Sequence, residues 1–281
     1  MYPRPRRIIV AQYSAPAFVS LMAAAELLGE GSRAIAAQVV DLAVRRVISI
    51  SRDVAGKKKS GFTLTITGDP AAENPDEQAV LAALFPGLEA GATRRIAPGR
   101  NRALGAVLQG PHRFAVARLV TAGLAREKSL LIKVFQPWRK QPVVATEKAY
   151  PIVDHLWGIH DFVKLVEKDR FAMLQSPEGA LRTPLGELEV LKLYERLLPY
   201  AVLFGLEKQW VKELDLRARE LSPDVLETLD AVADVTYVAL TVAELAIDIG
   251  SLVDLVDVTD TLEGVGAVFG GIAEFLGDLA P

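Results

Sequence analysis

The 281-residue chain predicts an α+β fold that is mainly helical, with a winged-helix-like unit at the N-terminus, a second candidate unit of that kind behind it, and a helical C-terminal region. Three observations carry this expectation. Apolar residues recur at helical spacing in several long stretches, as in Leu188, Leu191, Tyr194, Leu197 and Leu198. Two segments, Val47 to Arg52 and Phe62 to Thr67, alternate apolar and polar residues on either side of a Gly56-Lys-Lys-Lys-Ser-Gly61 turn, as a hairpin does. Finally, 51% of the residues are hydrophobic and none is cysteine, so the fold must be held by an apolar core without disulfides. The same lack of cysteine removes thiolate zinc sites and thiol catalysis.

Residues 1–14 read as a juxtamembrane segment. Arg4, Arg6 and Arg7 precede an uncharged run from Ile8 to Ala25 that imitates a signal peptide, but Gln12, Tyr13, Ser14 and Pro16 interrupt it. Residues 15–70 form the first unit. Phe18, Leu21, Met22, Ala25 and Leu28 share one face of an amphipathic helix that Gly29 and Gly31 break. A second helix, Arg33 to Arg46, presents Ile35, Val39, Leu42 and Ala43, and the hairpin follows. A DNA-reading helix needs exposed donors, and only Arg33, Gln38, Arg45 and Arg46 qualify here. Lys57, Lys58 and Lys59 are a solvated turn or a contact for an anionic surface.

Residues 71–148 form the second unit. Asn74-Pro75-Asp76-Glu77 is a helix start with a capping side chain, Pro at the first position and an acid three residues on. That helix turns Val80, Leu81, Leu84 and Phe85 inward and ends before Pro86. Leu88 to Asn101 reads as a loop rich in Gly, Ala and Arg. A helix over Phe114 to Gly123 and strands over Leu130 to Phe135 and Val143 to Ala145 repeat the grammar of the first unit.

Residues 149–220 are helical. One helix is expected over Val153 to Leu174, with Gly158 inside it and Glu167 and Arg170 able to pair at i,i+3. The next runs to Pro199, which removes a backbone donor and should kink or stop it. Tyr200 to Phe204 follows as an apolar segment closed by Gly205, and Trp210 with the stem of Lys208 is expected to cover that corner. In residues 221–281, Asp230, Asp234, Tyr237, Thr241, Glu244, Asp248 and Ser251 fall in alternating steps of four and three with apolar residues between. Such a tail is an acidic-striped helix, buried on most sides by the chain itself, by a partner or by a second copy.

Charge divides the chain. Residues 1–150 hold 22 Lys and Arg against 11 Asp and Glu, a balance of +11, whereas residues 151–281 hold 10 against 24, a balance of −14. The basic half suits an anionic lipid surface or nucleic acid by the same Coulomb attraction.

Chemistry is weakly signalled. His155 and His160, five apart, point about 140° from each other on a helix and cannot share a metal. Gly264-Val-Gly266-Ala-Val-Phe269-Gly270 has Phe269 where a dinucleotide loop needs its third glycine. Asp254, Asp257 and Asp260 lack the spacing of a calcium loop. No cofactor, metal or catalytic residue is therefore expected.

Glu195-Arg-Leu-Leu-Pro-Tyr-Ala-Val-Leu-Phe-Gly-Leu-Glu-Lys-Gln-Trp210, preceded by Trp157-Gly-Ile-His-Asp-Phe-Val-Lys-Leu-Val-Glu-Lys-Asp-Arg170, resembles the cytoplasmic C-terminal domain of the YciQ-like family of predicted bacterial membrane proteins. The likeness covers residues 150–214 and, more weakly, 8–54; residues 220–281 depart from it. It implies a domain of unknown function at the cytoplasmic face of the bacterial inner membrane. Glu167, Arg170, Pro199, Tyr200, Gly205 and Trp210 would be its structural motif, and Arg4, Arg6 and Arg7 its positive-inside charges. The expected function is a non-enzymatic protein-interaction or regulatory arm, through a protein partner or self-association. The alternatives are a winged-helix nucleic-acid binder and an enzyme with an unrecognised pocket.

Overall fold

Ser20 starts the first helix by accepting a bond from the Ala23 amide at 3.1 Å, and Gly29, at φ 74°, closes it in the left-handed conformation that spares glycine a Cβ clash. The computed structural model describes residues 11–16, 19–52, 61–67, 74–96, 102–127, 143–165 and 187–219. Within them the fold is α+β and mainly helical, as the sequence predicts. Helix α1 (Leu21–Leu28) is buried along its whole length rather than on one face. Its Ala, Leu and Met side chains are small or apolar all round, so neighbours pack against every side. Gly31 does not extend the break at Gly29; it opens helix α2 (Gly31–Val44), which sits between α1 and the later helices.

Arg46 leaves α2 at φ 60°, and strands β1 (Ile48–Arg52) and β2 (Phe62–Ile66) pair antiparallel, with Ile50 opposite Leu64. Helix α3 (Pro75–Leu84) starts at the predicted cap: the Asn74 Oδ1 accepts the Glu77 amide at 3.0 Å. The predicted Gly, Ala and Arg loop is corrected by strand β3 (Thr93–Ile96), which adds to the free edge of β2 with Thr65 opposite Thr93. Four residues with a single buried apolar side chain, Ile96, give almost no alternation to read, and the pairing is made by β2.

Helix α4 (Arg102–Thr121) begins well before the expected Phe114 and runs through Pro111. Leu104, Leu108, His112, Ala115 and Leu119 are buried at helical spacing, so packing outweighs the lost backbone bond. Strands β4 (Ala125–Glu127) and β5 (Val143–Ala145) form a second small sheet. The expected strand at 130–135 lies outside the described residues; the partner of β5 is 125–127. Helix α5 (Tyr150–Lys164) ends where Leu165 turns extended, and the remainder of the predicted helix to Leu174 lies outside the described residues.

Helix α6 (Glu187–Phe204) passes through Pro199 without stopping, and Gly205, at φ 71°, separates it from α7 (Glu207–Arg219). An interior proline costs roughly 3 kcal/mol. Tyr194, Leu197, Leu198, Tyr200, Ala201, Val202 and Leu203 are all buried around it, each contributing of order 1 kcal/mol or more, which is enough to keep the turn helical. The structure thus moves the corner from the proline to the glycine. Among the described residues one apolar core joins the seven α-helices and both sheets. No helix among the described residues is long and apolar enough to cross a membrane.

Candidate functional site

Helix α2 lies at the centre, and three of the polar side chains expected to face outward along it are engaged by other groups of the protein. Arg45 binds the Asp41 carboxylate through Nε at 3.0 Å and Nη2 at 2.9 Å, and contacts Glu77, which is fully buried at the start of α3. Gln38 donates to the same Asp41 at 3.2 Å. Arg33 reaches across to the α6–α7 corner, donating to the Val202 carbonyl at 3.2 Å and lying 3.6 Å from the buried Glu207. Of the four donors that a DNA-reading α2 would present, only Arg46 is exposed.

Beside this seam stand two further buried acids. Asp76 meets Arg118 of α4 at 2.9 Å and accepts the Ser20 hydroxyl, so the N-terminus of α3 is tied to the caps and flanks of its neighbours. Glu26, in the middle of α1, lies 3.1 Å from His112 Nδ1, yet neither of its oxygens has an aligned hydrogen bond. Burial pushes its carboxyl above the usual carboxylate range, and His112 opposes that only in part. A Cβ on Gly31 would fall 2.3 Å from the Glu26 carboxylate, which places that acid against the first turn of α2. The positive end of a helix offsets some of the cost of an anion there.

The α6–α7 corner gathers four of the predicted motif residues. Trp210 is fully buried, donates its indole N–H to the Tyr194 carbonyl at 2.8 Å, and packs on the Tyr194 ring with centroids 4.9 Å apart. Gly205 lies under the Arg33 guanidinium, which a Cβ would meet at 3.1 Å. Tyr200, one residue after Pro199, is buried near Asp41, and its phenol is pushed far up by burial first and by that negative charge second. Burial raises the Glu195 carboxyl as well, against the pull of Arg46, Lys192 and Arg196.

The predicted histidines go separate ways. His155 lies 2.7 Å from the Ser14 carbonyl, while His160 stands edge-on to Trp157 and Phe204 at centroid distances of 4.8 and 5.1 Å. Among the described residues no group of three acids or histidines is placed to hold a metal. Arg4, Arg6, Arg7, Lys57, Lys58, Lys59, Glu167 and Arg170 lie outside the described residues.

Sequence reasoning missed the buried pairs. Asp76 and Glu77 were legible as helix-start acids, but their arginine partners stand 42 and 32 residues away, and periodicity does not pair residues so distant. Glu26 was the one available signal, a lone acid between Ala25 and Leu27 in an otherwise apolar helix.

No known relative supplies an assignment. The chain matches no protein-family model, no curated protein and no solved structure. The resemblance of residues 150–214 rests on the residues quoted for it.

Proposed function

We propose that this chain is a non-enzymatic interaction arm working at the cytoplasmic face of a bacterial inner membrane, through contacts with a protein partner or a second copy and with the anionic leaflet. The observation that carries the reading is how the charges are used. Each buried acid is matched, Glu77 with Arg45, Asp76 with Arg118, Glu207 with Arg33, and Glu26 with His112, with Arg118 and Arg33 reaching in from the surface. Outside, the basic half keeps Arg46, Arg95, Arg126 and Lys148 exposed. Pairs to buried acids of this kind tie neighbouring helices together, and exposed cations are drawn to anionic headgroups within about a Debye length of the surface.

Base reading by α2 fits less well, because Arg33, Gln38 and Arg45 are bound within the protein. The test is separation of membranes from the soluble fraction of source cells, followed by detection with an antibody to this chain. A membrane band well above 30.4 kDa is the expected result. A soluble band at that mass refutes the reading and brings nucleic-acid binding forward.

A further inference from the structure

Helix α4 is packed along one side and open along the other. Leu104, Leu108, Ala115 and Leu119 lie in the core, whereas Ala103, Val107 and Thr121 are exposed and Gly110, Phe114 and Ala117 are half-buried. Those last six fall in steps of four, three, four, three and four, the spacing of a seam that faces another helix. None of them is charged, although the outward face of a surface helix is ordinarily polar. Val107 is 46% exposed, and a Cβ on Gly110 would meet nothing within 4 Å. Gly110 has no positive φ, so the backbone does not require a poor helix former in mid-helix, whereas close approach by another helix does. The Phe114 ring stands beside Arg118, whose guanidinium carbon lies 6.0 Å from its centroid.

Three properties of the chain select what covers this face. From Ala103 to Thr121 it is about 27 Å long and about 10 Å wide, a footprint of roughly 300 Å². Separate molecules need about 800 Å² from each partner for a stable contact, whereas a segment of the same chain is held nearby by its connection. Charge points the same way. α4 contains no acid, so a second copy of it would bring Arg113 and Arg118 against their own kind.

The third property is a matching seam. Residues 220–281 lie outside the described residues, and their sequence alone carries the match. Val235, Val238, Val242, Leu245, Ile249 and Leu252 recur in steps of three and four, so that large branched side chains would meet the small positions Ala103, Gly110 and Ala117. Asp234 and Asp248 border that seam, and no Lys or Arg follows Arg219. Arg113 and Arg118 border the α4 face and already hold Gln109 and Asp76, so they act on the acidic segment at range while the apolar seam makes the contact. The chain from Arg219 to Val235 can span about 50 Å when extended, enough to cross a body of this size.

We infer that the outward face of α4 is the seat of the chain's own residues 235–252, laid on it as a helix with the branched seam over Gly110. The inference goes beyond the membrane-surface reading and does not rest on it. A partner that takes the α4 face must first displace this segment.

The chain has no cysteine, so paired cysteines can be introduced without background. Gly110→Cys is combined in turn with Val238→Cys, Val242→Cys, Leu245→Cys and Ile249→Cys in the full chain, and disulfide formation is read by non-reducing electrophoresis and peptide mass. One pair, or two neighbours in the series, should close within a single 30.4 kDa chain. Arg126→Cys, at an exposed position on β4, should close with none of the four. Hydrogen exchange gives a second reading. Amides of 235–252 should be protected in the wild type, and Val107→Asp, which sets a charge under the branched seam, should speed their exchange roughly tenfold or more. Unchanged exchange in α1 and α2 shows that the body of the variant remains folded.

Cross-links that form only between two chains would give the face to a second copy and overturn the inference. Equal closure from Gly110→Cys and Arg126→Cys, no closure in any pair, or fast exchange of 235–252 in the wild type would overturn it too. Protection of 235–252 that Val107→Asp leaves unchanged would seat the segment elsewhere and overturn it equally.

Discussion

Gly31→Ala tests whether the interior acid of α1 is placed as described. Gly31 opens α2 without a positive φ, so alanine can adopt its backbone and would by itself be favourable by roughly 0.4–1 kcal/mol. The obstacle is contact. The added Cβ would fall 2.3 Å from Glu26 Oε1, 2.9 Å from His112 Cε1 and 3.1 Å from Glu26 Cδ. Favourable heavy-atom separations are about 3.5 Å, so the carboxyl must withdraw by about 1 Å. Glu26 is 1% exposed and surrounded by packed helices, so its neighbours must take up that movement. Overpacking of this kind costs about 1–3 kcal/mol, so the net loss should be roughly 1–2 kcal/mol. Urea unfolding of the wild type, Gly31→Ala, Glu26→Ala and the double variant measures it, with an unchanged m-value showing that the two-state comparison holds. Removing the carboxylate removes the nearest clash and opens space into which the His112 ring can shift. In the Glu26→Ala background the Gly31→Ala step should therefore become neutral or favourable, giving a coupling energy of roughly 1–3 kcal/mol. A neutral or stabilising Gly31→Ala in the wild-type background would refute the placement of Glu26.

Glu26→Gln should change how stability depends on pH. Because the folded carboxyl sits above its ordinary value, the folded protein holds that proton where the unfolded chain has lost it, so Glu26 favours folding below about pH 4.5 and loses this contribution as pH rises through its raised value. Over that window the variant should gain on wild type by up to about 1.4 kcal/mol per pH unit, read from denaturation midpoints across pH; parallel curves would refute it. Arg45→Ala removes the cation beside the fully buried Glu77 and should cost about 3–5 kcal/mol, whereas Arg45→Ala combined with Glu77→Gln should recover part of that loss in the same assay. Trp210→Phe keeps a ring against Tyr194 but removes the indole donor to its carbonyl, so thermal unfolding should show a loss of about 1–3 kcal/mol; an unchanged melting temperature would show that this bond is not formed.

The sequence made the helices of the first and last regions legible because their apolar positions are many and regularly spaced. The caps at Asn74 and Gly205 were legible for a different reason, since each is set by the chemistry of one or two residues. β3 was hidden because its hydrogen bonds belong to β2, and a short strand with one core residue has no pattern of its own. The stop expected at Pro199 was misleading, and Pro111 lies inside a helix in the same way. Pro111 and Pro199 each cost a helix a backbone bond, but buried neighbours on both sides outweigh that loss, a comparison that local rules do not make. In the candidate site, Tyr200, Gly205 and Trp210 were found as a packed motif. The use of Arg33 and Arg45 was not, because whether an arginine on a helix faces solvent or a buried acid depends on which element lies against it.

That difference separates the residues that can report on function from those that cannot. The Pro199 to Trp210 corner is fastened to α2 through Arg33, which touches Gly205, the Val202 carbonyl and Glu207 together. α2 is fastened in turn to α3 by Arg45 and Glu77, and α3 to α4 by Asp76 and Arg118. A substitution anywhere along this line lowers the stability of the whole body. Any loss of binding that follows from it has a sufficient cause in unfolding, however strongly the motif carries a resemblance. Arg126 is in the opposite position: it stands exposed on β4, outside this line of pairs. Its removal leaves the core intact, so a change in binding there reflects the surface itself.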